Sequence, residues 1–355
     1  MLLNKITIIG LYCTDEEVSN GQSVKTRIVT EEIEKALDVG CVKRIDTYGW
    51  RKNPFKLFIN CIMAVRNSTN VMFLTDEGGI KVFPRLLRWA NTGGKCKLHY
   101  YVVGGWLHKY LDRSETAVTD LQKLDAIYVE VPAMLRELEE RGFTNGVLVN
   151  KFRRMTPVEP DDLDLKPSAP YKLCYFSRVM KEKGVEECME AVKLVNEQAG
   201  FEKYTLDIYG SVNEPYRESF DMQVKHFPPY IRYGGIIDFQ KSAAVLKNYF
   251  AMLFPTYYAS EGYPNAVVDA FAAGLPVVAT RWNYNADIIR DHEDGILIDV
   301  GSVEQIVAAV EELADNPTLY KKMRLNCIAR CVEFQPESAI AKVIAKLRNN
   351  VQERI

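Results

Sequence analysis

The chain has 355 residues, of which 47% are hydrophobic and 26% charged. These are values of an ordinary globular protein, and the length exceeds what one hydrophobic core usually fills, so two domains are expected. A net charge of −2 argues against a general nucleic-acid binder, and no apolar run approaches the roughly 20 residues that span a bilayer, so any membrane contact is expected to be peripheral.

The first residues run straight into a strand pattern, KITIIG (5–10), without a cleavage-type region, and no signal peptide is expected. Further strand patterns follow at 70–76, 95–105, 125–131 and 146–150. Amphipathic helical patterns lie between them, as at 23–38 and 132–143. This alternation predicts a parallel sheet covered by helices on both faces. The stretch 153–170, RRMTPVEPDDLDLKPSAP, holds four prolines and three aspartates and reads as linker chemistry. The alternation then restarts. Strands are expected at 171–177, 204–210, 230–235, 249–256, 275–280 and 295–299, with helices at 183–198, 239–250, 264–273, 302–315 and 317–333. The expected organisation is a Rossmann-like domain over 1–155, a linker over 156–170, a second doubly wound domain over 171–335, and a C-terminal helix over 336–355 packing back on the first domain. Two such domains facing each other form a cleft between the carboxyl ends of their strands, where ligands bind in this architecture.

The eight cysteines include no C-x-x-C pair and mostly sit in apolar runs, which reads as free thiols in a reducing cytoplasm. Cys327 and Cys331 stand four apart with no histidine nearby, so no metal site is expected there. Charge divides unevenly: residues 1–155 carry five more Lys and Arg than Asp and Glu, and the remainder carries seven fewer.

Chemistry concentrates in 255–280, PTYYASEGYPNAVVDAFAAGLPVVAT. A strand ends, a loop follows, and a helix begins near Pro264, where proline suits the first turn. Gly274 suits the position just past its end. The loop from Ser260 to Asn265 thus offers backbone N–H groups at a helix N-terminus, an anion site fit for a diphosphate. Glu261 enters this loop, and Asp269 follows eight residues later inside the helix. Carboxylates so placed can hold sugar and ribose hydroxyls.

The string SEGYPNAVVDAFAAGLPVVAT resembles the donor-binding signature of glycosyltransferase family 4, retaining enzymes of the two-domain GT-B fold. That signature sets two acidic residues in E-G-[aromatic]-P-N…E-A…G-x-P-V-[VI]-A-[ST]. SRVMKEKGVEE (177–187) is similar to the family's G-R-x4-K-G element. The resemblance implies that Arg178 and Lys183 stabilise the leaving diphosphate and that Glu261 orients the donor sugar. It implies donor contacts from Gly262, Tyr263, Pro264, Asn265 and Asp269, and from Gly210 at the end of LDIYG. Ile236 and Ile237 in RYGGII would read the nucleobase, and Gly21 and Gln22 in NGQSVKT would approach the donor phosphate. Such enzymes need no metal or other cofactor, because cationic side chains replace it. A UDP-sugar is the default donor by family frequency. The implied reaction moves a hexose or N-acetylhexosamine to a saccharide or polyprenyl-linked acceptor in surface polysaccharide assembly.

Three departures stand out. Asp269 replaces the usual Glu and reaches one methylene less. The family's G-G-x-x-E turn reads Asn283-Tyr284-Asn285-Ala286-Asp287, where Asn tolerates positive φ and Tyr does not readily. The fourth N-terminal strand ends VVGGW without the family's His; His99 lies too early, and His108, a few residues later, is the weak candidate for acceptor contact.

On the acceptor side, 50–67 and 81–95 mix Lys and Arg with Phe, Trp and Leu. They read equally as helices packed on the sheet or as a surface for the anionic inner face of a membrane. Two other functions stay open: a nucleotide-sugar epimerase, and a catalytically inactive nucleotide-sugar-binding protein. Starch and sucrose synthases share the signature but are expected to carry extra segments.

Overall fold

The computed structural model describes residues 5–13, 21–37, 39–104, 106–238, 241–259, 261 and 263–352. The chain folds as two units, Met1–Phe152 together with Pro336–Ile355, and Arg153–Gln335.

The first unit holds six parallel strands: β1 Ile6–Gly10, β2 Val42–Asp46, β3 Asn70–Thr75, β4 Lys97–Val102, β5 Ala126–Val129 and β6 Gly146–Leu148. They line up in the order β2-β1-β3-β4-β5-β6. Strands covered on both faces read as continuous apolar runs, and β1 and β3 are buried along their whole length. The sequence pattern did not reveal β2, VKRID. It is an edge strand whose only buried side chain is Ile45, so it needs no apolar run.

After the second unit the chain returns to the first. Ile340, and Val343 and Leu347 of the helix Ala341–Gln352, are fully buried with Ile8, Val29 and Met72. Each such burial contributes roughly 1.5–3 kcal/mol. The Asn70 side chain also donates to the Leu347 carbonyl at 3.4 Å.

The second unit holds β7 Tyr171–Phe176, β8 Tyr204–Tyr209, β9 Ile231–Gly235, β10 Ala251–Phe254, β11 Val277–Thr280 and β12 Gly295–Ile298, all parallel, in the order β12-β11-β10-β7-β8-β9. Val192, Ile306 and Val310 fill one face of this sheet, and Val267, Phe271 and Phe334 the other. Both sheets are doubly wound, with helices between successive strands. The proline-rich stretch expected to be a linker is packed on this unit. Leu163 is buried against Gly274, and the Val158 N–H donates to the Ala272 carbonyl at 2.9 Å. The fully buried Arg324 guanidinium donates to the Asp164 carbonyl at 2.9 Å and to the Gly274 carbonyl at 2.7 Å.

Candidate functional site

Strand order in the second sheet reverses between β10 and β7, and such reversals open a crevice at the strands' carboxyl ends. A cavity of about 390 Å³ lies there, lined by Ser177, Arg178, Lys183, Phe254, Tyr258, Glu261, Pro264, Asn265 and Ala266.

Two glycines make this crevice. Gly210, after β8, has φ +145°, and a Cβ there would come within 1.8 Å of the Ser177 carbonyl. Gly184 has φ +78°, and its Cβ would come within 2.4 Å of the Pro255 carbonyl. Only glycine permits these approaches. They dock the loop carrying Lys183 against the loop leaving β10. There the Tyr257 N–H donates to the Glu182 carbonyl at 2.9 Å.

Lys183 donates to Glu261 Oε2, and both side chains are nearly buried. The Thr256 hydroxyl donates to the same oxygen at 3.0 Å. The Lys183 ammonium also lies 5.1 Å from the Tyr258 ring centroid and 5.8 Å from that of Phe254, both attractive for a cation. Arg178 is exposed at the rim and has no carboxylate partner among the described residues. The helix Asn265–Ala272 starts at this pocket with Pro264 as its N-cap, one residue later than expected, so its first N–H groups face the cavity.

Asp269 lies elsewhere. It is 4% exposed, and Arg153 donates to its Oδ2 at 2.8 Å. Burial pushes its carboxyl up to about 6, with Arg153 and the Ser242 hydroxyl pulling the other way. Ile236 and Ile237 follow β9, and Ile236 is 72% exposed. Tyr263 is half-buried, its ring tilted against that of Phe334 with centroids 6.4 Å apart. Gly262 and Ser260 lie outside the described residues. Gly21 and Gln22 open the helix Gly21–Leu37 of the first unit. His108, in the helix Leu107–Leu111 of that unit, buries an Nδ1 that has no hydrogen-bond partner among the described residues.

The structure shows how the Asn283–Asp287 turn noted in the sequence is built, and it adds Trp282, which the sequence reading did not single out. Asn283 takes φ +44° while Tyr284 stays at −99°, so one asparagine supplies the turn that glycines were expected to make. Its amide donates to the Glu261 carbonyl at 3.1 Å, and the Trp282 indole N–H donates to the Tyr258 carbonyl at 2.9 Å. These two hold the loop that presents Glu261. The family's turn pattern and the positive-φ tolerance of Asn pointed to Asn283; nothing in the sequence pointed to Trp282.

Two doubly wound parallel units with this pocket define the GT-B fold, and comparison with known proteins agrees. Residues 163–330, within the second unit, match the family model described as glycosyl transferases group 1. HepE of Anabaena, crystallised with UDP, superposes with a TM-score of 0.71 at 12% identity, covering 97% of this chain and 100% of that one. Sucrose-phosphate synthase of Thermosynechococcus elongatus superposes with a TM-score of 0.63 at 16% identity over 99% of this chain and 100% of its own, so missing segments do not separate this chain from that protein. In sequence, the lipopolysaccharide core biosynthesis glycosyltransferase LpsE of Rhizobium meliloti is 23% identical over 236 residues, 65% of this chain and 66% of LpsE. The capsular polysaccharide biosynthesis glycosyltransferase CapM of Staphylococcus aureus is 22% identical over 180 residues, 50% of this chain and 46% of CapM. The matches thus span less than two thirds of these curated relatives. Among the described residues, no helix is long and apolar enough to cross a membrane.

Proposed function

We propose that this chain is a retaining glycosyltransferase of family 4 that moves a hexose or N-acetylhexosamine from a UDP-sugar to a saccharide or lipid-linked acceptor in surface polysaccharide assembly. The observation that carries the reading is the convergence of Arg178, Lys183, Glu261 and a helix N-terminus on one cavity at the β7–β10 reversal. In the proposed mechanism Arg178, Lys183 and the first N–H groups of Asn265–Ala272 bind the diphosphate. They stabilise the charge that grows on it as the sugar–phosphate bond breaks. No metal is required in this scheme, because two cations and a helix terminus already face the leaving group. Glu261 accepts hydrogen bonds from donor-sugar hydroxyls and fixes the sugar's orientation. UDP is favoured as the nucleotide because HepE was crystallised with it, and polysaccharide assembly because LpsE and CapM are named for it.

A thermal-shift screen of UDP, GDP and ADP on wild type and Arg178→Ala tests the reading. A ligand that binds only the folded state raises Tm by mass action. UDP is expected to raise it in wild type and to do so far less in the variant. No shift with any of the three defeats the donor-site assignment. A UDP shift without turnover of any UDP-sugar identifies a binding protein instead.

A further inference from the structure

The helix Pro54–Asn67 has two apolar stripes where a globular helix needs one. Leu57, Cys61, Ala64 and Val65 face the core. Phe55, Phe58, Ile59 and Met63, at spacings of three, one and four, face outward, with Phe55 79% and Ile59 58% exposed. A surface helix ordinarily puts polar residues there. The patch continues onto the helix Phe83–Ala90, where Trp89 is 62% exposed and its ring stacks on Phe58 at 5.9 Å between centroids. Beside it runs a groove of about 320 Å³ lined by Trp50, Pro54, Phe55, Val82 and Leu86 among other apolar residues. Half of the fourteen exposed large hydrophobics among the described residues lie between Tyr48 and Trp89, so this is a patch and not scatter.

Charge identifies what covers it. Residues 47–111 hold ten Lys and Arg and two acidic residues, Asp76 and Glu77; four of the ten are ion-paired, Lys81 with Glu77, Arg85 and Arg88 with Asp120, and Lys97 with Asp125. Lys52 and Lys56 are exposed beside the aromatic residues and have no ion-pair partner among the described residues. Neither Pro54–Asn67 nor Phe83–Ala90 contains a carboxylate. Two copies of the chain meeting here about a twofold axis would set like charges against each other. Anionic headgroups complement those cations, and the interfacial layer is where Trp and Phe lie favourably. We propose that this face of the first unit docks on an anionic lipid bilayer. Phe55, Phe58, Ile59 and Trp89 enter the headgroup layer, and Lys52 and Lys56 bind lipid phosphates. The inference does not depend on which sugar is transferred.

Co-sedimentation of the full chain with vesicles of phosphatidylcholine alone, and of phosphatidylcholine mixed with phosphatidylglycerol, tests it. Wild type is expected on the mixed vesicles, with binding weakened at about 1 M salt, and not on phosphatidylcholine alone. Phe55→Ser/Trp89→Ser is expected to reduce the bound fraction about tenfold, and Lys52→Glu/Lys56→Glu to abolish the preference for phosphatidylglycerol. Both pairs are exposed, so Tm and the UDP shift should stay at wild-type values, which separates this test from that of the donor site. The proposal is overturned by no binding to mixed vesicles, by equal binding to phosphatidylcholine, or by unchanged binding of the Phe55/Trp89 variant. It is also overturned if wild type is a dimer that this variant makes monomeric while neither binds vesicles.

Discussion

Lys183 and Glu261, expected to hold different parts of the donor, are hydrogen-bonded to each other in the pocket, with side-chain exposures of 12% and 8%. Without a donor, each neutralises the other's charge in a nearly buried setting, where an unpaired ion would be costly. A bound diphosphate would supply Lys183 with a new partner and leave Glu261 to the sugar hydroxyls. The two variants are therefore expected to separate. Lys183→Ala should weaken UDP at least about tenfold, as loss of a charge-assisted contact of about 1.5–3 kcal/mol does. Glu261→Gln should leave UDP affinity nearly unchanged and lower kcat with the UDP-sugar about a hundredfold or more. Calorimetric titration with UDP and turnover of the UDP-sugar read the two effects. Equal loss of UDP affinity in both variants would contradict this division of labour.

Asn283 holds the Glu261 loop from outside the pocket lining. Its amide reaches the Glu261 carbonyl at 3.1 Å and the Ala259 carbonyl at 3.4 Å, and its φ of +44° suits asparagine. Asn283→Ala removes both bonds and keeps an L side chain at positive φ. A destabilisation of about 1–2 kcal/mol is expected, together with a rise in KM for the donor as the loop loosens. Asn283→Gly relieves the φ but not the lost bonds, so its stability should recover only in part while its KM stays high. If Asn283→Gly restores both, the side chain has no positioning role.

The site was legible where its residues lie in one continuous string. Glu261, the helix start near Pro264 and the stop at Gly274 are adjacent in sequence, and Lys183–Gly184 follows one strand and turn. Long-range partners left no local signal. Arg153 meets Asp269 from 116 positions away, and the proline-rich stretch was read as a linker because nothing local shows that Leu163 would be buried under Gly274. The stretch 50–67 stood out for its mix of basic and aromatic residues, but the sequence left open which of its apolar residues pack on the sheet and which stay exposed, since an apolar residue announces that it wants burial and not which surface provides it.

Asp269 carries a pH signature. Burial raises its carboxyl from 3.8 to about 6 against the pull of Arg153 and Ser242. A carboxyl raised on folding contributes stability that is complete below pH 3.8 and is lost as pH climbs through 6, a loss of roughly 3 kcal/mol. Asp269→Asn removes the titration. The stability difference between wild type and this variant should therefore shift against wild type between pH 4 and 6.5, as followed by urea unfolding of the second unit. A constant difference would mean that Asp269 stays ionised throughout, held by Arg153.

His99 should show the opposite sign in the first unit. It is fully buried on β4, with Nε2 3.0 Å from Asn70 Oδ1 and Nδ1 3.1 Å from the Tyr128 hydroxyl. A neutral ring donating from Nε2 and accepting at Nδ1 satisfies both partners. Burial pushes its pKa from 6.5 down to about 4; Asp125 opposes the fall while Lys346 and Lys97 add to it. The unfolded chain thus takes up a proton as pH falls from 6.5 toward 4 while the folded chain refuses it, and roughly 3 kcal/mol of stability is lost over that window. Because Asn70 also reaches the Leu347 carbonyl, strain at His99 reaches the C-terminal helix. His99→Gln supplies a donor and an acceptor but cannot titrate, so it should cost most at pH 7 and progressively less toward pH 4. Hydrogen-exchange protection factors across Ala341–Gln352, corrected for the intrinsic pH dependence of exchange, should fall in acid for wild type and stay constant for the variant. A pH-independent difference in both measurements would show that the ring does not govern the acid stability of this unit.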